Sequence, residues 1–345
     1  MGTIISGIGL LLLTLAGFSV FSLKAPKGSA AMSGMANAAV ATFLVEAIHK
    51  YITGDLIGIN FLGEVGEISG SMGGVAAGIL VPIGMGANPV FAVVAGVAVG
   101  GYGILPGFVA GYLVGFLAPL IEKYLPEGLD MVLGALLLAP VARLTAVISA
   151  PVVDFAMGYI GDVILAATNQ SPIIMGFLLG GVIKMICTAP LSSMALTAML
   201  GLTGLPMGIA AIACFGGSFT NAMVFHKLKL GNSSNVVAVM MEPLTQAHIV
   251  TKNPIPIYCS NMVGGGLSGV AAALLGIVNN APGTASPIPG MLAPFAFNPP
   301  KTVLLALAIA AVCGTLSGLL GGTIFAHLRE RKAVLINKDL MENKL

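Results

Sequence analysis

Charge is what this sequence has least of, and tryptophan is missing altogether. Only 8% of its 345 residues are charged, against about 25% in an average soluble domain. With 57% hydrophobic residues and a mean hydropathy of +1.01, no water-soluble fold of this size could cover the apolar surface. An integral membrane protein follows. The 15 basic residues are spread along the chain for a net charge of +2, so they make no phosphate-binding face and exclude a nucleic-acid partner. Without tryptophan, an interfacial aromatic belt rests on tyrosine and phenylalanine. The four cysteines, Cys187, Cys214, Cys259 and Cys313, form no CxxC and no Cys/His cluster. Each lies in an apolar run and is expected to pack as a small hydrophobe. No GxSxG, HExxH or P-loop occurs, so no catalytic residue, metal or cofactor is expected.

What is there is helix-length apolar sequence rather than alternating segments of about ten residues, which predicts an all-α polytopic membrane protein. We expect about 9–11 membrane elements, re-entrant and broken helices included. The 47 glycines suit helices that pack through small residues, because lipid gives helices no hydrophobic reason to associate. Residues 3–22 read as a first membrane helix rather than a cleaved signal, since no basic region precedes them. A helix over 29–53 follows, with Glu46 and Lys50 at i, i+4 as an expected ion pair. Residues 53–74 read as a loop or re-entrant element. Two Gly/Ala-rich segments, 71–86 and 88–105, precede a helix over 106–121 with Gly107, Gly111 and Gly115 on one face. A long apolar stretch runs from 131 to 160, with a linker near 167–172. Helices over 173–191, 194–204 and 206–225 come next, then a basic loop at 226–235. Residues 279–300 read as a Pro-rich connector before a last span at 302–325. Segments 81–96 and 199–214 look loosely alike, as in carriers built from repeats.

The stretch from Asn235 to Gly269 organises the rest. Glu242 ends an apolar run and is followed by Pro243, which removes a backbone donor and disfavours helix at the residue before it. Gln246, His248, Asn253, Pro254, Pro256 and Asn261 follow. Irregular backbone at membrane depth survives only where protein or a water-filled cavity covers it, and an ionisable residue there is a candidate functional site. Carboxylate, amide and imidazole beside free backbone groups suit a polyhydroxylated ligand. The expected binding set is therefore Glu242, Gln246, His248, Asn253, Pro254 and Asn261. Arg143, Asp154 and Lys184 are the other charges inside apolar runs and are read as buried support. Basic residues place the 226–229 loop and the tail from 327 on the cytoplasmic side. An even number of crossings must then separate them, so part of 235–300 is re-entrant or does not span.

Four segments in order, GFVAGYLVGFLAPLIEKYLPEGLD, LLLAPVARLTAVISAPV, GFLLGGVIKMICTAPLSSMALTAM and MEPLTQAHIVTKNPIPIYCSNMVGGGLSG, resemble the membrane-embedded IIC subunit of bacterial sugar phosphotransferase systems. The fructose-like branch is nearest, in particular the compact IIC-like proteins labelled perfringolysin O regulators. The resemblance covers roughly residues 70–280. In that family a Thr-Glu-Gly-Ala-Ile-Pro-Phe type segment offers a glutamate to the sugar, and Met241-Glu242-Pro243-Leu244 stands in its place. The family's Asp-Met-Gly-Gly-Pro-x-Asn-Lys segment falls on 186–193, where only Pro190 survives. The resemblance implies one membrane-embedded domain over 1–345, with scaffold helices in 1–160, a substrate region in 161–300 and a last helix and tail in 301–345. It also implies a homodimer with an elevator-type substrate region and IIA and IIB phosphoryl donors on separate chains. The expected function is transport of a small polar solute, a sugar or sugar-like compound, across the bacterial cytoplasmic membrane. The alternatives are a ligand-sensing membrane regulator of the same fold without flux and a proton- or ion-coupled carrier.

Overall fold

The computed structural model describes residues 2–126, 128–189 and 192–342, and no strand occurs among them. Lipid offers backbone groups no partner, so an apolar chain satisfies them within helices. The order is α1 (Gly2–Lys24), α2 (Gly28–Ala39, continuing π-wound over Val40–Leu44 and Ala47–Leu56), α3 (Asn60–Ser71), α4 (Gly73–Gly84), α5 (Pro89–Ala98) and α6 (Ile104–Tyr124). Then come α7 (Leu129–Gln170), α8 (Pro172–Thr188), α9 (Ser193–Met199), α10 (Gly204–Lys227), α11 (Ser233–Met241), α12 (Ala247–Val250) and α13 (Pro254–Leu274). The last two are α14 (Pro287–Leu292) and α15 (Pro300–Glu342). Seven of these helical stretches are long and apolar enough to cross a membrane, or eight if α3 and α4, bent by 56°, count as one span. With the shorter apolar α5 and α8, the protein is the all-α polytopic type expected.

Prolines mark starts rather than breaks. Pro89, Pro172, Pro254 and Pro287 each open a helix, where the missing N–H would have had no partner anyway. Asn88 caps α5 by accepting from the Val90 amide at 2.9 Å. Glycines decide which faces meet. Added Cβ atoms on Gly107, Gly111 and Gly115 of α6 would strike Gly74, Ala77 and Met85 respectively, so the one-sided small-residue face of α6 is its contact with α4.

Several segments differ from the sequence reading. Of the two forms expected for residues 53–74, a loop or a re-entrant element, residues 60–71 are a helix elbowed against α4, the geometry of a broken span or a re-entrant element. The expected linker at 167–172 shrinks to Ser171, because α7 carries helical geometry through Pro140 and Pro151 to Gln170. No glycine or proline stops it before Pro172. The Pro-rich connector is folded: it holds α14, and Asn298 donates to the carbonyls of Val278 and Pro294 at 2.7 Å each. The 81–96 and 199–214 segments are both helix–turn–helix, but the second helices differ in length, 10 residues against 24.

Helix α11, which follows the basic turn, is nine residues long. It rises about 13 Å, less than half of a hydrocarbon core of roughly 30 Å. Only α13 and α15 cross fully between the 228–232 turn and the tail. The two ends lie together: Gly322 of α15 packs against the Lys227 stem, and Arg329 donates to Asn253 Oδ1 at 2.7 Å.

Candidate functional site

The site is built on the crossing of α8 and α13. Gly176 and Gly180 face Gly265 and Gly269, and a Cβ on Gly180 would come within 2.7 Å of the Gly265 carbonyl oxygen. One turn on, the same face of α8 carries Lys184. Its stem fills the space that Gly265 of α13 and Gly217 of α10 leave empty. Lys184 is 0% exposed, and its Nζ donates to the Cys214 carbonyl at 3.4 Å. Glycines on two neighbouring helices thus make a slot for one cation.

A polar network grows from that lysine. Thr188 Oγ1 donates to the Lys184 carbonyl at 3.2 Å and accepts from Asn221 Nδ2 at 3.2 Å and Asn261 Nδ2 at 3.1 Å. Asn261 Nδ2 also donates to Asn221 Oδ1 at 2.8 Å. All four residues are completely buried, and Asn261 Oδ1 has no hydrogen-bond partner among the described residues. A buried acceptor left unmade costs about 1–3 kcal/mol, so its persistence inside an otherwise bonded network marks a place where a ligand or water group fits.

Glu242 approaches this network from the side. It ends α11 in extended geometry (φ −145°, ψ 97°), and a 3-10 turn over Pro243–Gln246 follows. Residues 233–253 therefore make a short helical hairpin, its two arms tied by Asn235 and Gln246, with Glu242 at the break. The Glu242 carboxylate is half-buried, and its hydrogen bond from the Leu244 amide is long, at 3.4 Å. It shares an electrostatic environment with Lys184, Cys187 and Cys214. Its carbonyl is occupied by Thr245, whose Oγ1 donates at 2.8 Å.

The remaining expected residues hold other positions. Gln246 Oε1 accepts from Asn235 Nδ2 at 2.7 Å, tying the break to the capped start of α11. Asn253 sits at the hairpin's base, donating to the Ile249 carbonyl at 3.0 Å and accepting from Arg329. Pro254 is the first residue of α13. The side chain of His248 lies outside the described residues, as do Pro190 and Leu191. Of the six, Asn261 belongs to the buried cluster, and Glu242, half-buried, lies within electrostatic range of its lysine.

Among the supporting charges only Lys184 joins that cluster. Arg143 is exposed and donates to the carbonyls of Gly100 (2.8 Å) and Ala98 (3.3 Å), its guanidinium 4.6 Å from the Tyr102 ring. Asp154 is exposed and lines a separate cavity. Cys187 and Cys214, distant in sequence, are neighbours in the hydrophobic core and pack there as small hydrophobes, whereas Cys259 is exposed. Sequence reasoning missed Thr188 and Asn221. Their signal was present, since an Asn inside the apolar run of α10 is a buried polar group in need of a partner.

Comparison with curated proteins finds no match for this chain. A family profile described as "Phosphotransferase system, EIIC" matches residues 29–342, nearly the whole length. That family implies a sugar substrate handled together with IIA and IIB partner proteins, in a multi-pass membrane protein. The match over nearly the whole chain places it in the phosphotransferase-system EIIC family.

Proposed function

We propose that this protein carries a small polyhydroxylated solute, a sugar or sugar-like compound, across the bacterial cytoplasmic membrane. The proposed binding cluster is Glu242 with Lys184, Thr188, Asn221 and Asn261. The observation that carries the reading is Asn261 Oδ1, without a hydrogen-bond partner among the described residues inside a fully buried network, with the Glu242 carboxylate at a helix break within electrostatic range of its lysine. Sugar hydroxyls both donate and accept. Glu242 and Asn261 Oδ1 supply acceptors, and the Lys184 ammonium has N–H groups beyond the one bonded to Cys214. The order of motifs along the chain favours the fructose-like branch, and the phosphoryl donor acts from a separate IIB protein. A homodimer with a mobile substrate region completes the reading.

Uptake of a labelled sugar panel into proteoliposomes tests it, with and without a lysate containing phosphoryl-donor proteins. Accumulation that is retained as a phosphate ester is the expected result. A second reading, a sensor without flux, has its own support: Asn253 at the hairpin base bonds Arg329 at the start of the tail, so a ligand at Glu242 has a route to the C-terminus. Saturable binding with no uptake would favour that reading and overturn transport.

A further inference from the structure

We infer that a second station for the same solute lies in a cavity of about 310 Å³ between the π-wound end of α2, the α3–α4 elbow, the start of α6, the middle of α7 and the end of α9. This rests on the solute being polyhydroxylated. Its volume is at the lower end of cavities that enclose small molecules. Glu46, Ser71, Asp154 and Phe43 line it, and none of the residues of the Glu242 cluster does.

The cavity is built, not left over. Glu46 stands between two π-wound stretches, Val40–Leu44 and Ala47–Leu56, a winding that is rare and recurs at functional sites. Its carboxylate accepts from the Tyr51 hydroxyl at 3.5 Å and pairs with Lys50 at 3.7 Å. It lies so close to Gly70 that a Cβ there would overlap it. Asp154 faces the cavity from a different helix and has no hydrogen-bond or ion-pair partner among the described residues.

The lining selects the ligand by elimination. Two carboxylates repel an anion, and they are too polar for an apolar guest. The volume is far too large for a bare cation, and no group of three or more metal-ligating side chains occurs among the described residues. Lys50 already offsets the Glu46 charge. What remains is a neutral, donor-rich molecule: hydroxyls to Glu46, Asp154 and Ser71, with an apolar ring face on Phe43. A sugar has that chemistry.

Helix α9 joins the two places. At its start Ser193 packs beside Cys187, the neighbour of Thr188 on α8, and at its end Ala198 and Met199 line the cavity. Seven residues span about 10 Å, a short transfer for a solute moving between stations.

The test places a cysteine at Ser71, in a Cys259→Ser, Cys313→Ser background that removes the two cysteines not fully buried. The rate of labelling by a small water-soluble maleimide is measured with and without a panel of hexoses and hexitols, and with a quaternary amine. A panel member at about ten times its Kd is expected to slow labelling about tenfold. Asp154→Asn should abolish that protection and Glu242→Gln should leave it intact. Equilibrium binding of the same panel is measured in parallel. Binding lost in Glu242→Gln with no protection at Ser71 overturns the second station alone. Protection at Ser71 with binding insensitive to Glu242→Gln overturns the Glu242 site alone. Protection by the amine but by no polyol, or protection that survives Asp154→Asn, overturns the second station as argued.

Discussion

Replacing Lys184 with methionine separates what this residue does for the fold from what it does for a ligand. A buried ammonium forfeits hydration worth several kcal/mol even after relaxation. Lys184 recovers one hydrogen bond, to the Cys214 carbonyl at 3.4 Å, and a bond to a charged group returns about 1.5–3 kcal/mol at good geometry. Attraction to Glu242 returns more, but that carboxylate is only half-buried and can rehydrate. Methionine keeps the unbranched stem that Gly217 and Gly265 accommodate and asks for no acceptor. The variant is therefore expected to be neutral or more stable, by on the order of 1–4 kcal/mol, a rise of roughly a few degrees in thermal midpoint. Solute binding should weaken at least about tenfold, the loss of one charge-assisted hydrogen bond. Tryptophan fluorescence cannot follow the unfolding, because the chain has none. A fluorogenic thiol dye can, since Cys187 and Cys214 are buried until the core opens, provided Cys259 and Cys313 are first replaced by serine. A destabilised Lys184→Met that binds solute as the parent does would refute the reasoning and make Lys184 a structural tie.

Glu242→Gln keeps the volume of the hairpin tip and removes its charge, so affinity should fall about tenfold with an unchanged thermal midpoint; parental binding in titration calorimetry would remove Glu242 from the site. Gly180→Ala sets a methyl within 2.7 Å of the Gly265 carbonyl and should cost about 1–3 kcal/mol by overpacking. Gly158→Ala, where an added Cβ meets nothing within 4 Å, is the control that should show no loss. Cysteines at Asn232 and Glu330 should react with an impermeant thiol reagent from the same side of the membrane. Labelling from opposite sides would break the hairpin topology.

Much of this was legible in the residues. Helices could be read because apolar runs ended at Lys24, Asn88 and Tyr124, and because the prolines that open helices left visible seams. The break that ends α11 was foreshadowed by the Glu242–Pro243 pair. The meeting of the polar residues around Lys184 was not legible. Thr188, Asn221 and Asn261 come from three helices, and no spacing along one helix encodes a meeting across three. The roles of Gln246 and Asn253 were equally hidden: a polar side chain near a break reads the same whether it faces solute, caps a helix or holds a neighbouring element. Residues 279–300 looked unstructured because they lack charge and periodicity. Their order comes instead from asparagine side chains satisfying backbone groups, as Asn298 does for Val278 and Pro294.

The glycine-on-glycine crossing of α8 and α13 has a mechanical meaning. Where interdigitated side chains separate two helices, rotamer changes let them slide; where backbone lies on backbone, no such lubricant exists. Helices α8 and α13 are welded at Gly176, Gly180, Gly265 and Gly269, and α10 is clasped to α15 in the same way at Gly216 and Gly314. Whatever motion admits solute from one side and then the other must carry Lys184, Thr188, Asn221 and Asn261 as a single unstrained block. The deformation falls on the compliant parts around it, the hairpin that holds Glu242 and the 56° elbow between α3 and α4.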